Sequence, residues 1–254
     1  MKTLKKIGRA LLVAAFWLGV WALAAHRFGK PLLFPSPLSV IKTLGELLGT
    51  KEFYIATGTS LWNILTGTFS AILAACILTV ITSRIRFVRE LIHPVMAVVK
   101  ATPVASFIIL MLLFLGPVKV PAVITFLIVL PIVWTNLDEG IQNIDPQLRE
   151  VAKMYRFSLA KRLRVLLFPS LKPYFLSACK TAIGLAWKAG VAAEIIAMPP
   201  ETIGTMIGEA KLYIMSAEMF AWTLTVVLLS LAIEFGVSHL FSKFNNIPHA
   251  KEGV

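Results

Sequence analysis

The stretch from Ser60 to Thr82, SLWNILTGTFSAILAACILTVIT, has no charged side chain and is the clearest apolar segment of the chain. About 20 such residues are enough to cross the apolar core of a bilayer as an α-helix. Inside lipid every backbone polar group needs a partner within the chain, which a helix provides. The stretch therefore predicts a transmembrane helix.

Five further apolar segments lie on either side of this one. In order along the chain, the predicted spans cover residues 10–26, 60–82, 91–115, 120–137, 173–198 and 219–241. Of the whole chain, 57% is hydrophobic and only 15% is charged, whereas a soluble domain carries about 25% charged residues. No alternation typical of strands competes with the helical pattern. We therefore expect an all-α polytopic transmembrane bundle of about six spans.

The chain divides into three parts. Residues 1–59 hold the first span and an external segment, residues 60–241 form the core membrane domain, and residues 242–254 form a cytoplasmic tail. The first span follows a basic start and ends near small residues, so it also imitates a cleaved signal peptide. We expect it to be retained, because its removal would disturb the charge pattern of the loops.

The lysine and arginine residues predict the orientation in the membrane. If both termini lie inside, the cytoplasmic segments contain sixteen of these residues and the outer segments contain six. Cytoplasmic loops are enriched in lysine and arginine, so we predict an N-in, C-in topology. The net charge of +12 then reflects topology. A nucleic-acid partner is not expected, because the basic residues lie between long apolar segments.

Two of the outer segments are long enough to form short helices. Residues 34–53 contain the turn-like sequence PSP, and the apolar residues that follow share one helical face, which predicts an interfacial helix. These residues are Val40, Leu44, Leu47 and Leu48. Residues 199–217 begin with PPETIG, a turn signal, and are predicted to continue as a second short helix before the last span.

The long loop of residues 138–172 carries two helical patterns. Asp145 and Pro146 fit the N-cap and the first position of one helix, and Ser158 fits the N-cap of a second. Each helix has one apolar face, formed by Leu148, Val151, Ala152 and Tyr155 in the first and by Leu159, Leu163, Leu166 and Leu167 in the second. Pro169 and Pro173 are expected to end the second helix. The loop therefore predicts a basic and apolar knob, suited to a groove on a soluble partner.

Residues 150–169, EVAKMYRFSLAKRLRVLLFP, resemble the coupling-loop signature of bacterial ATP-binding-cassette (ABC) importer permeases. That signature reads E-A-A, three residues, G, nine residues, I-x-L-P, and its spacing fits without a gap. The residues at its defined positions are Glu150, Val151, Ala152, Leu166, Phe168 and Pro169. Arg156 stands at the glycine position, where the family's chain turns between two helices. Arginine is strained if that turn needs a positive φ; otherwise the bend differs in geometry, or Arg156 makes a polar contact of its own.

Three other stretches extend the resemblance to about residues 60–240. They are KATPVASF at 100–107, EGIQNIDPQL at 139–148 and GLAWKAGVAAE at 184–194. Together they are similar to the nitrate/sulfonate/taurine-type branch of the family. The resemblance implies the type I ABC importer permease fold and the inner (plasma) membrane of a bacterium. It also implies a small solute as cargo, either a small anion such as nitrate, a sulfonate or taurine, or a small heterocycle.

The resemblance also implies partners. Two permease subunits, a homodimer in this branch, would form the pathway through the lipid bilayer, and a soluble binding protein would deliver the solute from outside. Each coupling loop, residues 138–172, would seat in a cytoplasmic ATPase subunit. The residues implied in that coupling are Glu150, Val151, Ala152, Arg156, Ser158, Leu166, Phe168 and Pro169. The sequence has no G-x-x-x-x-G-K-[ST] phosphate loop, so ATP and magnesium are expected on the partner ATPase, with no cofactor and no enzyme activity in this chain.

Polar residues within the spans are candidates for the translocation pathway, because charge at membrane depth is costly and usually functional. These candidates are Lys100, Thr102, Pro103, Lys188 and Glu194. Pro103 removes a backbone hydrogen bond, which is tolerated where the helix faces protein or water. Lys188 either attracts an anion or pairs with a carboxylate of another span. Glu194, about 240° further round the same helix, is expected near the outer mouth.

Two other classes of protein fit parts of the sequence. A gradient-driven secondary transporter accommodates six spans and a few intramembrane charges, but it predicts matching broken helices in two halves and gives the 138–172 loop no role. A membrane-embedded enzyme needs a nucleophile and a base or a set of metal ligands, and the four histidines show no H-E-x-x-H spacing. No metal or redox site is predicted, since Cys76 and Cys179 lie in apolar segments as small hydrophobes.

Overall fold

The computed structural model describes residues 2–30 and 32–245, and within these ranges the backbone is helical with no β-strand. Most of the predicted tail, from residue 246 onward, lies outside the described residues. The helices are α1 (Lys2–Phe28), α2 (Pro37–Leu47), α3 (Lys51–Arg84), α4 (Arg86–Ala101), α5 (Val104–Leu115), α6 (Val120–Gln142), α7 (Pro146–Met154), α8 (Leu159–Arg162), α9 (Phe168–Ala197), α10 (Ile203–Leu212) and α11 (Ser216–Asn245). A π-helical turn, Leu163–Leu167, joins α8 to α9.

Among the described residues, three helices are long and apolar enough to cross a bilayer, namely α3, α6 and α11. The pair of α4 and α5 passes the same test together but is bent by 102°, so it is a broken span or a re-entrant segment. The predicted first span falls on α1, whose apolar part, Leu12–Phe28, is shorter than α3, α6 or α11. The predicted fifth span falls on α9, which contains several charged residues. The all-α bundle is confirmed, whereas six spans and the N-in, C-in orientation stay predictions.

Side-chain caps fix the beginnings of the two short helices predicted outside the membrane. Ser36 accepts a hydrogen bond from the backbone amide of Ser39 at the start of α2 (3.3 Å). Thr202 accepts one from the amide of Thr205 at the start of α10 (3.3 Å). Such bonds satisfy amides that the first helical turn leaves without a partner. Both predicted helices are present, and Val40, on the predicted apolar face of α2, is buried.

The core lies where α6 packs between α3 and α9. Gly67 lets α3 approach α6 closely, because a Cβ at this position would lie 2.2 Å from the carbonyl oxygen of Ala122. Trp134 of α6 is fully buried, and its indole N–H donates to the hydroxyl of Thr82 in α3 (3.3 Å). A buried indole is stable when its N–H has such a partner. The glycine of α3 and the hydrogen-bonded tryptophan of α6 thus allow these two helices to pack closely.

An ion pair fixes α4 against α6 at the end of the bundle that carries the 138–172 loop. The Nε of Arg89 lies 2.8 Å from an oxygen of Asp138, and the Gln142 amide donates to the same carboxylate (2.9 Å). Asp138 is buried, and a buried carboxylate is tolerated when it is paired and hydrogen-bonded. The start of the loop is therefore anchored to the bundle.

The outer faces of α1, α3, α5 and α11 expose large apolar side chains. Examples are Trp17, Phe69, Leu73, Leu113, Phe114 and Phe235. Soluble monomers rarely present apolar patches of this extent to water. Exposed faces of this kind suit contact with lipid tails or with another membrane-embedded subunit, as the composition of the chain predicts.

Candidate functional site

A sharp break separates α4 from α5 at Thr102 and Pro103. Thr102 has an extended backbone, with φ −76° and ψ 132°, as expected for the residue before a proline. Pro103 has no N–H with which to continue the helix. The Thr102 hydroxyl donates to the carbonyl of Val98 (2.8 Å), an acceptor near the end of the interrupted helix. The helix is therefore interrupted at Pro103, where the sequence predicts the loss of a backbone hydrogen bond.

A cavity of about 450 Å³ opens beside this break, between α4, α5, α6 and α9. Its walls are largely aliphatic, and its polar side chains are Lys100, Thr102 and Lys188. Both lysine side chains are exposed, and neither ammonium group has an ion-pair partner within residues 2–30 and 32–245. The structure thus brings three of the five intramembrane candidates together, and within the described chain Lys188 does not pair with a carboxylate.

The two ammonium groups give this cavity a positive potential, which its low-dielectric walls focus. Two unit charges 4 Å apart attract by about 1 kcal/mol in water and by about 4 kcal/mol at the effective dielectric constant near a protein surface. The described lining contains no carboxylate. The cavity is therefore suited to a small anion, and its few hydrogen-bond donors allow that anion to leave again.

Glu194 lies apart from this cavity, where α9 meets α3 and α10. Its side chain is fully buried, and its Oε2 accepts hydrogen bonds from the Ser60 hydroxyl (2.7 Å) and the Gly204 amide (3.2 Å). The Ser60 hydroxyl in turn accepts one from the Ile203 amide (2.9 Å). These bonds tie the beginning of α10 to two longer helices. Sequence reasoning missed Ser60, because a serine at the edge of an apolar stretch carries no pattern that names its partner.

The first helix of the coupling loop, α7, ends in a left-handed turn. The Phe157 amide donates to the Ala152 carbonyl (3.0 Å), and the Arg156 amide donates to the Lys153 carbonyl (3.0 Å). This pair of bonds is the Schellman motif, whose left-handed position is usually glycine. Arg156 occupies that position with φ 44°. The bend therefore has the left-handed geometry for which the signature uses glycine, although arginine occupies the position here.

Arg156→Gly is expected to stabilise the end of α7 by roughly 1 kcal/mol. A non-glycine residue in the left-handed region costs about 1–2 kcal/mol, and the greater freedom of glycine in the unfolded chain offsets part of the gain. Hydrogen exchange of the amides in this turn should slow about fivefold, which mass spectrometry of peptides from the loop would measure. Ser158→Gly, at an N-cap where glycine costs only a few tenths of a kcal/mol, is the control. Faster exchange in Arg156→Gly would contradict the prediction.

The second helix of the loop does not end where the sequence predicts. Ser158 caps α8 as expected, but α8 continues through the π-helical turn into α9, with Pro169 in the first turn of α9 and Pro173 inside it. A helical proline needs room for its ring near the carbonyl four residues earlier. The wider turn supplies that room for Pro169, since the Phe168 amide bonds to the Leu163 carbonyl, five residues back. The prediction that these prolines end the helix was wrong.

Ala152 packs inside the coupling loop itself. It is buried together with Ile144 and Leu166 in a small apolar core, so a small side chain here lets α7 lie close to the π-helical turn. The other candidate coupling residues are exposed, namely Glu150, Val151, Arg156, Ser158, Phe168 and Pro169. Leu148 and Tyr155 of the predicted apolar face are also exposed. The exposed surface of the loop thus mixes charged and apolar side chains.

Comparison with known sequences finds a family and several relatives. The family described as "Binding-protein-dependent transport system inner membrane component" matches residues 47–245. The taurine transport system permease protein TauC of Escherichia coli (strain K12) is 22% identical over 241 residues, which cover 92% of this chain and 86% of that protein. The nitrate import permease protein NrtB of Synechocystis sp. is 26% identical over 203 residues, which cover 75% and 72%. The bicarbonate transport system permease protein CmpB of Synechococcus elongatus is 37% identical over 93 residues, which cover 35% and 33%.

Solved structures share the fold. A bacterial ABC transporter involved in the import of the acidic polysaccharide alginate superposes with a TM-score of 0.63 at 16% identity, covering 96% of this chain and 99% of that one. An amino acid ABC transporter crystallised with histidines superposes with a TM-score of 0.62 at 15% identity, covering 82% and 96%. At identities this low, the similarity indicates a shared fold.

Proposed function

Because the chain belongs to the family of binding-protein-dependent transport system inner membrane components, we propose that it is the permease of an ATP-driven importer that carries a small anion across the inner membrane. A permease of this family is a transport subunit, and a separate ATPase subunit hydrolyses ATP. Membership of the family argues against the gradient-driven transporter and the membrane-embedded enzyme, which the sequence alone left open.

The observation that supports an anionic substrate is the cavity at the break between α4 and α5. Lys100 and Lys188 approach it from different helices, and the described lining offers no carboxylate to neutralise them. Relatives of this chain are named for taurine, nitrate and bicarbonate, which are small and carry a negatively charged group. A small anion of this kind fits a cavity of about 450 Å³ and its charge.

The helix α9 supports a direct route from ATP hydrolysis to this cavity. It continues unbroken from the coupling loop, and its 30 residues span about 45 Å at 1.5 Å per residue. Lys188 lies on it beside the cavity, and Glu194 lies on it at the contact with α10. We propose that the exposed face of α7 seats in the ATPase and that movement of the loop shifts α9, which changes the access to the cavity.

The second permease subunit is proposed to be another copy of this chain. Helix α5, whose residues line part of the cavity, exposes Leu113 and Phe114, and the same face of a second copy would cover them and close the pathway. A soluble binding protein is proposed to meet the end of the bundle that carries α2 and α10. Both short helices are capped and packed against α11, so they offer a fixed surface for docking.

Affinity isolation of the tagged chain from native membranes in mild detergent tests the ATPase partnership. A subunit with a phosphate-loop signature is expected in the isolate by mass spectrometry. Val151→Asp and Glu150→Lys alter exposed side chains on α7 and are expected to lower its recovery at least about fivefold, because an unpaired or reversed charge that is buried in an interface costs more than about 1 kcal/mol.

The matched controls are Ile41→Asp and Glu46→Lys. They make the same kinds of change at exposed positions of α2, away from the coupling loop, and are expected to leave ATPase recovery unchanged. If the chain is isolated without an ATPase, or if the α7 variants recover it as well as the α2 variants do, the proposed coupling through this loop is wrong.

A further inference from the structure

A second cavity lies between the coupling loop and the adjoining ends of α3 and α6. It measures about 420 Å³, and three arginines line it, one each from α3, α7 and α8: Arg84, Arg149 and Arg162. The remainder of the lining is aliphatic apart from Ser83, and includes Leu166 of the loop core. Nothing in the proposed transport of the anion uses this cavity.

The arginines are arranged to receive an anion. The guanidinium of Arg149 donates to the carbonyl of Ile141 near the end of α6, which holds it in place. The side chains of Arg84 and Arg162 have no hydrogen bond or ion pair within residues 2–30 and 32–245. No carboxylate lines the cavity. Guanidinium groups match the geometry of phosphate oxygens, so a phosphate group is the anion that best fits the three arginines.

An apolar groove of about 310 Å³ adjoins this arginine cavity. The two share Ser83, Arg84, Ile141, Leu163 and Leu167 in their linings. From there the groove follows α3 to Cys76, which lies about 10 Å deeper along the helix at 1.5 Å per residue. Its other walls are apolar side chains of α6 and α9, with Lys172 at one side. A basic cavity that continues into an apolar groove between apolar helices has the shape of a lipid with a charged head group.

We propose that this composite site binds one anionic phospholipid, with its phosphate among Arg84, Arg149 and Arg162 and one acyl chain in the groove. A free phosphate would use the arginines and leave the groove empty, and a neutral lipid would fill the groove without matching the net charge of the arginines. Basic pockets between spans on the cytoplasmic side bind anionic head groups. The inference rests on membrane insertion and on the predicted N-in, C-in orientation, and not on the identity of the cargo.

The site has a consequence for coupling. Its lining comes from α3, α6, α7, α8 and the π-helical turn, so a bound lipid bridges the bundle and both halves of the coupling loop. Without the lipid, the two halves of the loop pack together through the small core of Ile144, Ala152 and Leu166. Bound anionic lipid therefore holds the loop in one position relative to the end of α6.

Native mass spectrometry of the purified full chain in a neutral detergent tests this proposal. Phosphatidylglycerol is expected to bind with at least tenfold higher affinity than phosphatidylcholine of the same chain length. Arg84→Gln and Arg162→Gln are each expected to weaken phosphatidylglycerol about fivefold, in line with the usual contribution of one basic residue at an anionic surface. Binding of phosphatidylcholine should weaken less, because its choline offsets the charge of its phosphate. The control is Arg164→Gln, which removes an exposed arginine that lines neither the cavity nor the groove.

Three results would overturn the proposal. Equal affinities for the two lipids would show that the arginines do not select for the charge of the head group. An equal loss of phosphatidylglycerol affinity in Arg164→Gln would show an effect of net charge alone. Displacement of phosphatidylglycerol by millimolar inorganic phosphate would assign the site to a free phosphate. If Arg84→Gln does not yield folded protein, Arg162→Gln, on the exposed surface of the short helix α8, makes the same test.

Discussion

Lys188→Glu is expected to lower the uptake of a small anion at least tenfold. The substitution turns an attraction at the cavity into a repulsion, and each of these is worth about 1 kcal/mol in water and more against apolar walls. A change of about 2 kcal/mol in the barrier exceeds tenfold in rate. Uptake of radiolabelled taurine, nitrate and bicarbonate by cells that express the whole importer, with its ATPase and binding protein, is the measurement.

Lys188→Arg and Lys180→Glu are the controls for this prediction. The first keeps the charge and is expected to retain most of the uptake. The second makes the same charge reversal on α9 at an exposed residue that does not line the cavity, and uptake is expected to stay near that of the natural chain. Equal loss in Lys188→Glu and Lys180→Glu, or no loss in Lys188→Glu, would mean that the substrate does not pass this cavity as an anion.

Long, uncharged apolar segments were predictable because lipid imposes a simple requirement on them. The stretch Ser60–Thr82 lies within α3, as expected, but α3 extends beyond it from Lys51 to Arg84. The extension depends on the cap at Thr50 and on packing outside the apolar core, which hydropathy does not report. Pro169 misled the prediction for a related reason. A proline ends a helix only if its ring has no room, and the π-helical turn that makes room leaves no pattern in the sequence.

The positions of single residues within the coupling loop were predictable, whereas contacts between distant residues were not. Signature spacing placed Arg156 at the turn, and the structure then shows a left-handed turn there. By contrast, Lys100 and Lys188 belong to different helices, and only the bend at Thr102 and the packing of the bundle bring them to one cavity. Local periodicity describes one helix face and says nothing about which face of another helix it meets.

Gly204→Ala is expected to destabilise the protein by about 3 kcal/mol. A Cβ at Gly204 would lie 2.2 Å from the Cβ of Glu194 and 2.6 Å from its carbonyl carbon, so α10 would have to move away from α9. Overpacking of this kind costs about 1–3 kcal/mol. The movement also breaks the bond from the Gly204 amide to the buried Glu194 side chain, and a buried polar group that loses its hydrogen-bond partner costs about 1–3 kcal/mol. Thermal unfolding in detergent, followed by size-exclusion chromatography, would measure the loss of folded protein.

The matched control is Gly208→Ala, one turn further along the same helix. There the atom nearest to a Cβ would be the terminal methyl of Met198, at 3.3 Å, which a flexible side chain can move. Alanine is favoured over glycine in a helix by up to about 1 kcal/mol, so this variant should unfold near or slightly above the temperature of the natural chain. If Gly204→Ala unfolds at the temperature of Gly208→Ala, then α10 is not held by close contact with Glu194. The anchor between α3, α9 and α10 would then have to depend on the Ser60 hydroxyl, which bonds to both Glu194 and Ile203.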